Sequence, residues 1–476
     1  NRKIDAVLEV MKKLRTSPPP EKILEDETSL RGYVEKKASS LLSSMDIDVG
    51  SISTLSRIVG QYTCGYGILE HLLRDDRVQD IYIDAPCSER PVYVSLGGSI
   101  QGNMRTNISL SGPEMDRIAS ILRYHSGRPF SETNPVLECD IRFYNARATA
   151  VAPPMSPEGI SMALRKHSHD PWTLVRLIRS GTVTPQAAAF LSLAVDGRST
   201  ALIAGPRGAG KSSLLGALLF EVDTSQRMII IEDTPELPLR SLNLCGYKVL
   251  GLNVGSSEAS TADKALRTAL RLGESVLVMG EVRGPETRTL YEAMSAGTAG
   301  SSVMGTFHAD SASTVYKRAV EDMGVSPGSF SSTDLVVVTG LVQPKGSQAR
   351  LRRVVQIAEL VKDAEPGTFS DLFIYDSQTD RIRPTSNLGS SSLLGRIAGL
   401  WGLSRKDVLE EHSIRSSVLS EAIKLFDERQ ISRPETAARI ATTFRQVKEK
   451  AIKEGWMGDR KRFLESWKFT SGEVWD

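Results

Sequence analysis

Apolar positions near the start of the chain fall at helical spacing, with Ile4, Val7, Val10, Met11 and Leu14 on one face. Ser17-Pro18-Pro19-Pro20 interrupts that pattern, so residues 1–61 read as a helical N-terminal extension that docks or packs. The texture then changes. Short apolar stretches at 81–83 and 92–96 predict strands between Pro and Gly turns, and 110–125 predicts an amphipathic helix, giving a small α/β domain over 62–170. Residues 171–184 read as a linker. Thr184-Pro185 supplies an N-cap and a first helical residue for a helix running to about 195. From 199 to 361, apolar strands at 201–204, 228–231, 249–254, 276–279, 303–307 and 335–342 alternate with helical segments. That alternation predicts a parallel sheet covered by helices on both faces, in a core spanning 185–362. The remainder, 363–476, has a Gly/Ser break at 389–392 and helix starts at Ser404 and at Ser432-Arg433-Pro434-Glu435, so it reads as mostly helical.

Bulk chemistry narrows this picture. A chain of 476 residues, 40% hydrophobic and 24% charged, is globular in composition and long enough for several domains. With 59 basic and 57 acidic residues the formal charge is +2, which gives no global argument for a nucleic-acid partner. Cys64, Cys87, Cys139 and Cys245 form no CxxC pair, against a zinc ribbon and in favour of buried thiols in a reducing compartment. No apolar run approaches the ~20 residues of a membrane helix. No secretory signal is visible, so the expected location is cytoplasmic, with any membrane association peripheral.

Gly205-Pro206-Arg207-Gly208-Ala209-Gly210-Lys211-Ser212 fits GxxxxGK[ST] between a predicted strand and a predicted helix, the context that motif needs. Glycines let backbone N–H groups wrap a phosphate, and the helix N-terminus adds a favourable dipole. Lys211 would reach the β- and γ-phosphates, and the Ser212 hydroxyl would take one position on Mg²⁺, with Ser213 following on the loop. No NKxD-type guanine-reading segment follows, which favours ATP.

A phosphate loop also needs a carboxylate at a neighbouring strand end. Two strands offer one: 228–231 is followed by Glu232-Asp233-Thr234-Pro235-Glu236, and 276–279 by Gly280-Glu281-Val282-Arg283-Gly284. One acid would serve the metal and another the attacking water. His308, in Gly305-Thr306-Phe307-His308-Ala309-Asp310, ends a further strand, where an imidazole senses a γ-phosphate or simply caps the core.

These blocks, in this order and spacing, resemble the secretion ATPase superfamily: type II and type IV secretion, type IV pilus and archaellum motors. Ile231-Glu232-Asp233-Thr234-Pro235-Glu236 is similar to the family's Asp box, Gly280-Glu281-Val282-Arg283-Gly284 to its Walker B segment, and Gly305-Thr306-Phe307-His308-Ala309-Asp310 to its His box. Residues 172–204 and the long C-terminal extension look closest to the archaeal branch. The resemblance implies a RecA-like ATPase core preceded by a smaller α/β domain. It implies that Glu232 polarises the attacking water, that Glu281 is the Mg²⁺-side acid, and that His308 links nucleotide state to ring geometry. It further implies that Arg147 and Arg165 of the small domain reach the phosphates, against the plainer alternative of surface ion pairs. The chain departs from the family's usual residues at Ser212-Ser213, Thr298 and Gln79, and Arg271-Leu272-Gly273-Glu274 lacks a proline often found there, without loss of a catalytic group.

The expectation that follows is a homohexameric ring in which the small domain closes on bound ATP about 171–184, hydrolysis releases it, and the movement drives a polytopic membrane platform protein. A nucleic-acid translocase on the same core is the alternative. It would need a basic, aromatic-interleaved channel, which 6% aromatic residues do not favour. The segment 444–468, basic with Trp456, Phe463 and Trp467 interleaved, reads either as a lipid-touching helix or as a helix packed on its own core. His167 and His169 have no further candidate ligands, so no structural metal is assigned.

Overall fold

A computed structural model of the chain describes residues 2–16, 19–20, 27–96, 103–166, 171–232, 236–237, 239, 246–254, 261–273, 275–295, 302–346 and 350–473. Ser17, Pro18, His167, His169, Asp233, Thr234, Pro235, Cys245, Glu274 and Thr298 lie outside the described residues. The chain divides into two compact units, Asn1–His169 and Asp170–Asp476.

In the first unit, the helices Arg2–Arg15, Glu27–Ser43 and Val49–Thr63 pack on one another through Val10, Ala38, Leu42 and Val59. Strands β1 (Val78–Ile83), β2 (Tyr93–Leu96), β3 (Met104–Arg105), β4 (Val136–Ile141), β5 (Ala146–Val151) and β6 (Ser161–Lys166) form a six-stranded sheet in the order β3-β2-β1-β6-β5-β4. The helix Gly112–Ser126 starts with a capping box of Ser111 and Glu114 and ends on left-handed Gly127. Its Met115, Ile118 and Leu122 enter the same core as Ile81, Ile83 and Leu164 of the sheet. The N-terminal extension is therefore a packed layer. It is tied down by Arg31, whose guanidinium bonds the buried Glu70 carboxylate at 2.5 Å and the Tyr144 hydroxyl at 3.0 Å.

The second unit is the expected α/β core. Strands β7 (Ala201–Ala204), β8 (Arg227–Glu232), β9 (Lys248–Asn253), β10 (Val276–Val282), β11 (Ser302–Phe307), β12 (Leu335–Val342), β13 (Leu351–Leu360), β14 (Phe369–Asp376) and β15 (Arg381–Pro384) form a nine-stranded sheet. The order is β15-β14-β13-β12-β7-β11-β10-β8-β9. From β12 to β9 all neighbours are parallel, while β12 to β15 pair antiparallel. β7 shows why its run is continuously apolar. Ala201 and Ile203 enter one core and Leu202 and Ala204 the other, as the two-residue period of a strand buried on both faces requires.

Two expectations are corrected here. Residues 171–184 are not a free linker. Thr173 caps a helix, Leu174–Arg179, and Leu174, Val175, Leu177, Ile178 and Val183 are buried in the core beneath the sheet. A segment with that much apolar surface packed away cannot swing as a hinge without opening the core. Nor does the second unit's sheet stop at 362, because β14 and β15 extend it. The helices Ser392–Trp401, Arg405–Leu425, Pro434–Lys453 and Arg460–Glu473 then cover the face that also holds the helix Lys211–Leu219. Trp456, Phe463 and Trp467 are buried there, Phe463 and Trp467 fully, so 444–468, the end of one helix and most of the next, packs on the chain's own core rather than facing lipid.

A buried ionic network stitches this layer together. Arg415 bonds Glu411 at 2.8 Å and also pairs with Asp196. Lys448 adds a bond to Glu411 at 2.8 Å, and Arg445 meets Asp196 at 2.8 Å and the backbone carbonyl of Glu221. Ser192 donates to the Glu221 carboxyl at 2.7 Å, whose pKa burial pushes up. Glu221 lies just beyond the C-terminus of the helix Lys211–Leu219, so the tail grips the far end of that helix.

Candidate active site

Parallel register sets the site. Phe307 of β11 pairs with Ala204 of β7 and with Val282 of β10, and Met279 of β10 pairs with Ile231 of β8. The residues after β7 and β11, and those ending β10 and β8, therefore share one sheet edge, the carboxyl end where ligands of α/β sheets gather.

The loop after β7 needs its glycines. Gly205, Gly208 and Gly210 have φ of 154°, 78° and 94°, in the region that side chains avoid. A Cβ on Gly205 would stand 2.4 Å from the Thr339 hydroxyl oxygen of β12, which itself donates to the Ala204 carbonyl at 3.0 Å. The helix Lys211–Leu219 starts immediately after Gly210, aiming its N-terminus at the loop. Lys211 is buried and its ammonium bonds the Gly205 and Pro206 carbonyls at 3.0 and 3.1 Å. Burial holds its pKa below the ordinary lysine value, while Glu281 and Glu236 pull it up. The Ser212 hydroxyl donates to Glu236 at 3.1 Å.

The acids divide by exposure. Glu232, at the end of β8, is 3% exposed, and its Oε1 accepts the backbone N–H groups of Glu236 and Leu237, both at 2.9 Å. Gly280 of β10 makes room for it, since a Cβ there would lie 2.8 Å from the Glu232 Cγ. Glu236 is exposed beside Ser212. Glu281 meets His308 Nε2 at 2.8 Å through one oxygen and Arg283 at 3.1 Å through the other. Burial first, then the charge of Lys211, hold His308 below the ordinary histidine pKa; Glu281 opposes this and Arg318 adds to it.

An NMR titration of the His308 ring, assigned with His308→Gln, should give a midpoint below the free value of about 6.5. The unfolded chain binds this proton more readily than the folded one, so the linkage removes stability as pH falls through about 6.5. A midpoint above that value would contradict the environment described.

In the first unit, Arg147 and Arg165 are register partners on β5 and β6, hence neighbours on one face. Arg165 bonds Asp80 of β1 at 2.8 Å and Arg147 bonds Glu138 of β4 at 2.9 Å. The two arginines lie on the face opposite the buried Ala148 and Leu164, Arg165 exposed and Arg147 half-buried, with Asp80 itself buried beneath its pair.

Comparison with known proteins bears on this arrangement. The sequence model described as "Type II/IV secretion system protein" matches residues 137–370. A putative conjugal transfer protein of Mycobacterium tuberculosis is 30% identical over 314 residues, covering 64% of this chain and 87% of that protein. The chain belongs to the type II/IV secretion system protein family. An uncharacterised protein of the archaeon Methanocaldococcus jannaschii is 27% identical over 375 residues, covering 77% of this chain and 66% of that one. The solved ATPase DotB of Legionella pneumophila is 18% identical, with a TM-score of 0.46, and covers 76% of this chain and 92% of that chain.

Of the residues singled out in this secretion-family chain, the second unit brings Lys211, Ser212, Glu281 and His308 to one edge, and the first unit sets Arg147 beside Arg165. Glu232 is at that edge too, but its oxygen is turned to the backbone of its own loop. Sequence reasoning passed over Glu236, although it sits in the quoted segment. Spacing does not tell which glutamate stands by Ser212; the backbone N–H groups of Glu236 and Leu237 hold the earlier one, and the later one meets the hydroxyl. Thr339 and Arg352, whose Nε donates to the Gly208 carbonyl at 2.9 Å, were not distinguishable from other strand residues.

Proposed function

We propose that this secretion-family chain is an ATPase that couples ATP hydrolysis to movement of its first unit, working as a homohexameric ring on the cytoplasmic side of a membrane-embedded secretion, pilus or archaellum machine through a polytopic platform protein. One observation carries the reading: a glycine-built phosphate loop with Lys211 stands at the same sheet edge as two accessible carboxylates, Glu236 and Glu281, and an imidazole.

The loop N–H groups and Lys211 bind the phosphates. Glu236, exposed and next to Ser212, takes the proton of the attacking water, while Glu232 is a positioning residue that holds the backbone at Glu236. The oxygen donors present suit Mg²⁺, which needs only one or two carboxylates beside phosphates and water; Ser212 and Glu281 are the residues that would hold it. Bound there, Mg²⁺ neutralises charge on the β- and γ-phosphates. His308 follows Glu281 through their shared bond. Arg147 and Arg165 exchange their carboxylate partners for phosphate oxygens, and guanidinium favours either geometry.

The test is turnover of ATP by the purified chain beside Lys211→Ala, with analytical ultracentrifugation in ATP and in ADP. Turnover well above the Lys211→Ala background, in a six-subunit species, supports the reading. A rate no higher than that background rejects the motor, and an active monomer rejects the ring.

A further inference from the structure

We propose that Arg352 is a positioning residue for the phosphate loop, acting through its Nε–H on the Gly208 carbonyl rather than through its charge; this rests on the ATPase reading of the loop. A loop that turns its N–H groups inward to cradle phosphate must turn carbonyls outward, and each of those prefers a fixed donor. Here the donor for Gly208 comes from β13, at 2.9 Å. In the sheet order β13 lies two strands from β7 on the side away from β11, β10 and β8, so Arg352 braces the loop opposite the acids.

The brace is built in stages. Thr339 of β12 fixes the start of the loop against Gly205. Arg352 pairs in register with Leu341, two residues further along β12, which carries β13 past the end of β7 to the height of the loop. The stem of Arg352 lies along the loop as well, since a Cβ on Gly210 would sit 3.5 Å from its Cδ. Its neighbour Arg353 is buried and binds Asp380 with both Nε and Nη2, at 2.9 and 2.7 Å. Anchoring Arg353 on one face leaves Arg352 directed to the other, the alternation a strand imposes. The need is physical: Gly208 and Gly210 at positive φ give the loop wide conformational freedom, and an external bond that selects one shape reduces the ordering left to nucleotide binding.

Side-chain chemistry separates this from simple attraction between a cation and phosphate. Gln places a neutral N–H donor at the same bond count from the backbone as the Nε of Arg. Lys keeps the charge but puts a methylene there. The experiment measures the affinity of N-methylanthraniloyl-ADP for the full chain, together with KM and kcat for ATP, in wild type, Arg352→Met, Arg352→Gln and Arg352→Lys, with melting temperatures as a folding control.

Met should weaken ADP binding by about tenfold and Gln by no more than about threefold, as loss and retention of one hydrogen bond would give. Lys should stay near Met. KM should follow the ADP affinities, with kcat within about twofold of wild type, the signature of an interaction made equally in ground and transition states. Recovery by Lys and not by Gln would overturn the proposal in favour of charge, and a Met variant binding like wild type would overturn it outright. If Met fails to fold, the contrast of Gln with Lys still decides. Wild type that binds the ADP probe without turning over ATP would remove the motor and leave the brace standing.

Discussion

Glu236→Gln should turn over ATP about 10²–10³ times more slowly than wild type, the usual cost of losing a general base, with nucleotide affinity little changed. The expectation follows from what Glu232 and Glu236 each meet. Glu236 is exposed with its carboxylate 3.1 Å from the Ser212 hydroxyl, whereas Glu232 is 3% exposed and accepts two backbone N–H groups. Glutamine at 232 keeps an acceptor oxygen for those groups, so Glu232→Gln should slow turnover far less than Glu236→Gln, while Glu232→Ala releases the backbone at Glu236 and Leu237 and impairs both binding and rate. Single-turnover kinetics with a separate measurement of ADP affinity resolves the three. If Glu232→Gln proved the more damaging of the two glutamine variants, the water-activating role would return to Glu232.

The second large effect concerns stability. Arg415→Met should destabilise the second unit by about 3–5 kcal/mol, the range for breaking a buried ion pair from one side. The Arg415 side chain is 5% exposed and bonds Glu411, itself 2% exposed, and Asp196. Met fills similar volume, so the loss is electrostatic: two carboxylates stay buried with fewer cations around them. Lys448 and Arg445 remain as partial partners, which sets the cost within that range rather than beyond it. Pairing Arg415→Met with Glu411→Leu should restore part of the stability, because it removes one of the stranded charges. Urea unfolding monitored by Trp fluorescence reads this directly through Trp456 and Trp467, which are buried in the same layer. An Arg415→Met midpoint equal to that of wild type would show that the network contributes nothing net.

What the sequence reveals follows from how local each signal is. The phosphate loop, the strand before it and the helix after it are legible because glycine, lysine and hydroxyl must stand at fixed spacing on one short stretch. The helix Pro185–Asp196 is legible because Thr184 accepts from the Ala187 N–H, as the Thr-Pro start predicts. Residues 171–184 mislead because a helix of one and a half turns shows too little periodicity to stand out. Thr173 as a cap ahead of Leu174, Val175, Leu177 and Ile178 is the signal that was present. β14 and β15 are hidden for another reason. They pair antiparallel beyond a parallel block, and nothing in Phe369–Asp376 states that its partner is β13. At the site, strand ends locate acids, but which carboxylate the backbone N–H groups of Glu236 and Leu237 capture depends on local backbone conformation, which residue spacing does not state. The tail's aromatic residues have the same ambiguity, since a Trp that covers a core and a Trp that meets lipid carry one spacing.

The grip of Arg445 on the Glu221 carbonyl has a practical bearing on how the molecule can be divided. A fragment of 185–362 would strip β13 of its outer neighbour, remove Phe373 and Ile382 from the core they help fill, and cut the helix behind the phosphate loop from its far support. The compact unit that holds the loop on its complete sheet is Asp170–Asp476 as a whole, so the helices after the sheet belong to the frame beneath the loop rather than to an accessory.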